Sequence, residues 1–495
     1  MGILLWPEGG TRKPDKILTP QTIEDLQLDR LCAAMNYNNY FKLSVNDVIQ
    51  TWTHDTEVIA YRQSVLQDLL SNPDLETALE ELLDCLDVWE THSVTSRRNN
   101  HDTGGPGLNL GDFSYLDSYL DKITRLSQLF SGLTLNSVGM NALRDQIRHM
   151  GSSQRFAAIR AGFDELCGAY ALPSRVSIGF NLDKELKPAQ LKLLRIEKKT
   201  SKRRKMAFTR NAHAMTSQLL SRTVADASQA ITMYVKRESM DIREVKQDII
   251  FYLSALKLCR SWEKYGLKYC FPEIRPMEEK AFSSKTMFNP LLVISNKEKV
   301  VCNDIEFAKG GELLVLTGAN QGGKTVFLLS VALTQWLFQL GIAVPAEYAS
   351  ISPVTEICTV FAPSGASFSR HGLLAEEAGR IANAVKEAGK DSLVLFNEPL
   401  NSTSPNENLH ISREVIGVFK AAGVRGIWVT HMYELASDRQ RVNELIPWGS
   451  TIGSIKIIVE ADGEGTKPTY KITRGEPEYN SYAAEVLRRK GIEMQ

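Results

Sequence analysis

The segment Gly318-Ala319-Asn320-Gln321-Gly322-Gly323-Lys324-Thr325 constrains this chain more than any other. It follows the apolar run ELLVLT (312–317) and precedes VFLLSVAL (326–333), so a glycine-rich turn stands between a strand pattern and a helix pattern. That order is the context required of a GxxxxGK[ST] phosphate loop, where backbone N–H groups close around phosphate oxygens and the helix start adds a favourable field. Lys324 then reaches the outer phosphates, from an exposed position in the loop, and Thr325 supplies a hydroxyl to Mg²⁺. The binding set runs from Gly318 to Val326 at the head of the helix.

The flanking sequence carries the same α/β texture. Beyond about Phe271, the runs LLVIS, KVVC, ELLVLTG, TEICTVF, SLVLFNE and GIWVTH read as strands separated by helices, which implies a mainly parallel sheet buried on both faces. The long apolar stretch from Val326 to Pro345 is interrupted by Ser330, Thr334, Gln335 and Gln339, so it reads as a helix under the sheet rather than a membrane span. Before residue 270 the pattern is helical, as in IEDLQLDRLCAAM (23–35) and VLQDLLSNPDLETALEELLDCLDVW (65–89). A Gly- and Asn-rich loop is expected over 97–112, followed by helical runs near 112–170 and 205–265. Between these runs lies PSRVSIGFNLDKELKPAQ (173–190), a small strand-bearing tip on what reads as a projecting arm.

Two further motifs point into the crevice outside the carboxyl ends of such strands. SLVLFNEP (392–399) ends a buried strand in Asn397-Glu398. Glu398 can act as general base on an attacking water, and Asn397 can offer only a neutral carbonyl oxygen near the metal. GIWVTH (426–431) places His431 at the end of another apolar strand.

Charge and cysteine content narrow the alternatives. Lys+Arg and Asp+Glu are both 58, so any nucleic-acid contact must come from a local patch. The densest basic run includes Lys198, Lys199, Lys202, Arg203, Arg204 and Lys205, on the tip and shoulder of the arm, where it can track a phosphate backbone. The seven cysteines are scattered and form no CxxC, which fits a reducing cytoplasm better than a disulfide framework or a zinc site. No signal-peptide, myristoylation or prenylation pattern is expected from the ends of the sequence.

These motifs together resemble the MutS family. TGANQGGKT is similar to its phosphate loop TGPNMGGKS, including Asn320 and the double glycine. NEPLNSTSPNENL (397–409) resembles DEIGRGTSTYDGL, and WVTHMYEL (428–435) resembles a run ending in ATHYFEL. The 74 positions between Lys324 and Glu398 are MutS-like, and NP (289–290) and NDI (303–305) fall where the family has related pairs. YKITRGEPEYNSYAAEVLRRKGI (470–492) is similar to the segment closing the family's nucleotide site.

The resemblance implies an α + α/β architecture. A helical core/lever domain over 1–270, with a clamp-like tip at about 172–210, would precede an ABC-type P-loop ATPase domain over 271–495. No mismatch-binding or connector domain is expected before Leu18. The family's dimer-shared site implies a homodimer in which a Ser of one subunit completes the other's site. Ser367 in PSGASFSRHG is the best match, with Ser369 and Arg370 in reserve. Tyr470 occupies the position of a base-stacking residue, facing the apolar Val300-Val301. The function implied is an ATP- and Mg²⁺-dependent DNA-binding ATPase of repair, recombination or defence, and the neutral Asn397 where the family's run has Asp points to slow hydrolysis. The alternative is a nucleotide-gated switch acting on a protein partner.

Overall fold

The computed structural model describes residues 4–7, 18–99, 110–171, 174–182, 188–198, 240–295, 300–319, 321–362, 370–462 and 465–477. The chain divides into two compact units, one of residues 1–4 and 68–249 and the other of residues 5–67 and 250–495. The division therefore falls inside the helices Thr56–Ser71 and Met240–Glu263 rather than near residue 270, and residues 5–67 group with the C-terminal unit.

The first unit is built on helices Pro73–Asn99, Leu110–Ser131, Val138–Ser152 and Gln154–Ala171. Of the loop expected over 97–112, residues 97–99 and 110–112 are helical, and residues 100–109 lie outside the described residues. The single helical run expected over 112–170 is three helices. Ser137 accepts from the Met140 N–H to start one of them, and Ser153 takes extended backbone to end it. Asp68 fixes that entry by accepting from the N–H groups of Asn136, at 3.0 Å, and Ser137, at 2.7 Å. The helix buries Met140, Leu143, Ile147 and Met150, spaced for one face. β1 (Ser174–Leu182) and β2 (Pro188–Lys198) pair antiparallel.

The second unit holds two sheets. The smaller has order β3-β7-β4-β5, from β3 (Glu273–Ile274), β4 (Phe282–Met287), β5 (Asn303–Glu306) and β7 (Tyr348–Ile351). The larger contains β6 (Glu312–Thr317), β8 (Glu356–Phe361), β9 (Ser392–Asn397), β10 (Arg425–Val429), β11 (Thr451–Asp462) and β12 (Gly465–Arg474), in order β12-β11-β6-β10-β9-β8. Its five strands from β11 to β8 are parallel and β12 is antiparallel. β6, β8 and β10 are buried at every position, as strands covered on both faces must be.

Two expected strands are not strands. LLVIS is the short helix Pro290–Ile294, because Pro290 suits the first helical position and Asn289 caps it by accepting from the Leu291 N–H at 2.9 Å. Val300–Cys302 has no regular structure, and the strand begins at Asn303. The apolar stretch after the phosphate loop forms the helix Lys324–Gln339. Two of its polar interruptions tie neighbouring backbone: Gln335 donates to Ser352 O at 3.1 Å, and Gln339 donates to Thr53 O at 3.0 Å and Val354 O at 2.8 Å. Among the described residues, no helix is long and apolar enough to cross a membrane.

Candidate active site

Three parallel strands deliver the site. β6 leads into the phosphate loop, β9 ends at Asn397 and β10 leads to His431. In register, Val429 of β10 lies between Leu316 of β6 and Asn397 of β9, so the three carboxyl ends stand side by side. Backbone bonds extend the alignment one residue further: the Glu398 N–H donates to Val429 O at 3.0 Å, and the Thr430 N–H to Leu316 O at 3.1 Å.

The loop after β6 needs its glycines. A Cβ on Gly322 would lie 2.5 Å from Ile457 Cδ1, and Gly323 caps the helix at φ +90°, where side chains with a Cβ are disfavoured. The helix then starts at Lys324, leaving its first N–H groups without partners inside the helix and facing the crevice. A cavity of about 500 Å³ opens there, lined by Gln321 to Phe327 and by Leu292, Val301, Asn303, Ser330, Glu398 and Tyr470.

Lys324 is buried, with 4% of its side chain accessible, where the sequence suggested an exposed loop position. The helix start draws it inward, and its Nζ donates to Gly318 O at 2.9 Å and Ala319 O at 3.2 Å. The same Nζ lies 3.3 Å from His431 Nδ1 and 3.6 Å from Glu398 Oε1. Burial lowers the Lys324 pKa from its ordinary value, with Glu398 opposing that shift.

Glu398 and His431 form a direct pair, Nε2 to Oε1 at 2.7 Å. Because an ammonium can only donate, His431 Nδ1 accepts from Lys324, and its Nε2–H then donates to Glu398. Burial is the largest single influence on the Glu398 carboxyl and pushes its pKa up. The hydrogen bond from His431, with Lys324 and Asn401, outweighs burial and leaves it below the usual carboxylate range. Glu398 is thus an ionised acceptor at neutral pH.

Asn397 lies beside the loop, and its Oδ1 accepts from Thr325 Oγ1 at 3.1 Å. These neighbouring oxygens are the hard donors that Mg²⁺ takes. The helix-start N–H groups, the buried ammonium and the cavity size fit a nucleoside triphosphate.

Sequence reasoning gave no role to several residues that set this geometry. Asn408 is buried and donates to Pro399 O at 3.1 Å and Leu400 O at 2.9 Å, fixing the turn in which Glu398 and Leu400 take φ +51° and +59°. Asn289, noted only as part of NP, donates to Val326 O at 3.0 Å. Val301 and Tyr470 line the cavity, whereas Val300 is not among the lining residues. Asn320, Ser367, Ser369, Lys199, Lys202, Arg203, Arg204 and Lys205 lie outside the described residues. Lys198 ends β2, and its side chain is likewise outside them.

Residues 314–494 match the family model for MutS domain V, and residues 54–265 match that for the MutS2 N-terminal domain. The chain is 32% identical over 257 residues to Endonuclease MutS2 of Clostridioides difficile, a match covering 51% of this chain and 31% of that protein. It is 28% identical over 274 residues to DNA mismatch repair protein MutS of Chlorobium phaeovibrioides, covering 55% of this chain and 30% of the relative. Endonuclease MutS2 of Bacillus velezensis is 32% identical over 208 residues, 40% of this chain and 24% of that protein. These matches thus span less than a third of each relative's own length.

Proposed function

This chain belongs to the MutS family, and on that premise we propose that it binds and slowly hydrolyses ATP to change how it holds DNA. The observation that carries the hydrolytic reading is the cluster of Lys324, Glu398 and His431 beside Thr325 and Asn397 at the carboxyl ends of three strands. The helix-start N–H groups and Lys324 hold the phosphates, with Lys324 exchanging its carbonyl acceptors for phosphate oxygens. Thr325 and Asn397 would hold Mg²⁺, Asn397 through water, and the ion would supply charge neutralisation on the outer phosphates. Glu398 accepts a hydrogen bond from water, orients it towards the terminal phosphorus and takes its proton. His431 keeps that carboxylate aimed and ionised. The products are ADP and phosphate.

The larger mechanism extends the same reading. The helical unit of residues 68–249 would act as a core and lever whose tip, at about 172–210, meets double-stranded or branched DNA through Lys198, Lys199, Lys202, Arg203, Arg204 and Lys205. Two copies would close around ATP, with Ser367 of one copy completing the other's site, in the cytoplasm.

Sedimentation of the Glu398→Gln chain with saturating ATP and a DNA duplex, at stepped salt, tests this assembly. The expected result is a dimer whose DNA affinity falls steeply with salt, and less steeply after neutralisation of those six basic residues. A monomer refutes ATP-driven closure. Unchanged DNA affinity in the neutralised chain favours the nucleotide-gated protein switch instead.

A further inference from the structure

Asn303, at the start of β5, is a buried polar residue beside the cavity to which the chemistry above gives no role. Both ends of its amide are committed to the backbone of β12. Nδ2 donates to Tyr470 O at 3.0 Å, and Oδ1 accepts from the Ile472 N–H at 2.8 Å. The side chain thereby completes a two-bond ring of the kind that a neighbouring strand would make.

The segment it grips is irregular. The β11–β12 register shifts between Ile457 and Val459, which pair with Ile472 and Pro468, so Thr469, Tyr470 and Lys471 bulge from the ladder. Tyr470 sits in the bulge at φ +62°, a left-handed conformation that residues bearing a Cβ rarely adopt. Bulges re-aim side chains and recur beside active sites, and such backbone persists only where its surroundings over-determine it. The ring itself cannot supply that hold, because Tyr470 remains 46% exposed. Asn303 supplies it, together with Lys471, whose Nζ donates to Cys302 O at 2.6 Å. The ring consequently lies against the phosphate loop, where a Cβ on Gly323 would be 3.2 Å from Tyr470 Cδ1.

We propose that Asn303 is a positioning residue for nucleotide binding, which clamps the β12 bulge so that the Tyr470 ring forms one wall of the nucleoside end of the cavity. This rests on the nucleotide-binding reading of the site. It assigns Asn303 a role exercised through Tyr470 and not through direct contact with ligand.

The test is a double-mutant cycle on the full chain with Mg²⁺, reading ATP affinity, turnover at saturation, and competition by inorganic tripolyphosphate, which has no nucleoside. Asn303→Ala is expected to weaken ATP about tenfold, which is about 1.4 kcal/mol. Turnover at saturation and tripolyphosphate competition should hardly change, as expected for loss of uniform binding. Tyr470→Ala should give the same loss, and the double variant should be no weaker than Tyr470→Ala alone. Asn303→Asp keeps the acceptor for the Ile472 N–H and should lose less, and it serves for the cycle if Asn303→Ala does not fold. Unchanged ATP affinity, equal losses for ATP and tripolyphosphate, or additive losses with Tyr470→Ala would each overturn the proposal. A wild-type chain that binds no ATP would instead overturn the reading of the site, and this proposal with it.

Discussion

Replacing Asn397 by Asp is expected to speed ATP turnover and to lower the Mg²⁺ concentration needed for half-maximal rate. Asn397 Oδ1 lies 3.1 Å from the Thr325 hydroxyl, so a cation held by that hydroxyl would be within one water of residue 397. Two unit charges 4 Å apart attract by about 4 kcal/mol at an effective dielectric constant of about 20, and the divalent charge doubles that. Desolvating the new carboxylate and setting it beside Glu398 offset most of this gain. Groups acting on a metal through one intervening ligand typically change its affinity about 10–100-fold, or about 1.4–2.8 kcal/mol, and that is the expected size of the shift. The assay is steady-state ATP hydrolysis across a Mg²⁺ titration for wild type, Asn397→Asp and Glu398→Gln. If neither rate nor midpoint moves in Asn397→Asp, residue 397 does not act on the metal's water shell and the reasoning fails. Turnover found only in Asn397→Asp would identify the wild-type chain as an ATP-binding switch.

Two further outcomes follow from contacts around Glu398. Asn408→Ala removes two bonds to the carbonyls of Pro399 and Leu400, and at about 1 kcal/mol each plus the cost of leaving buried carbonyls unpaired it should destabilise the chain by about 2–3 kcal/mol. An unchanged urea midpoint would contradict that. The Glu398 carboxyl is held below its unfolded value of about 4.3, so its stabilising contribution is complete above that pH and is lost as pH falls through the depressed folded value. Glu398→Gln lacks this contribution, so the stability difference from wild type should be present at neutral pH and close in acid; a difference independent of pH would refute the pairing.

The cluster of Lys324, Glu398 and His431 was legible because each member ends or follows an apolar strand, and the loop over 318–325 fixes where those strands must meet. Glu398 and His431 needed only the rule that parallel strands present ligands at their carboxyl ends. The residues that refine the site escaped for one physical reason: Asn303, Asn408 and Asn289 act through side-chain bonds to distant or irregular backbone, and no periodicity encodes those. Apolar content alone read Leu291–Ser295 as strand, although the Asn289 cap and Pro290 were local evidence for a helix start. The burial of Lys324 was not legible because it depends on Gly318, Ala319, Glu398 and His431 closing around its Nζ, contacts that span the chain. The division inside helix Thr56–Ser71 has no compositional marker, since a continuous helix carries none of the Gly- or Pro-rich signals used to place boundaries.

The central claim is that the buried Lys324 and the His431-held Glu398 form an ATP-hydrolysing site. Parallel measurement of MgATP binding and hydrolysis in wild type, Lys324→Ala and Glu398→Gln tests it most directly. Wild type should bind and turn over ATP, Glu398→Gln should bind it with turnover reduced by at least about 10²-fold, and Lys324→Ala should do neither while remaining folded. Wild-type rates of hydrolysis in a folded Lys324→Ala chain would contradict the account.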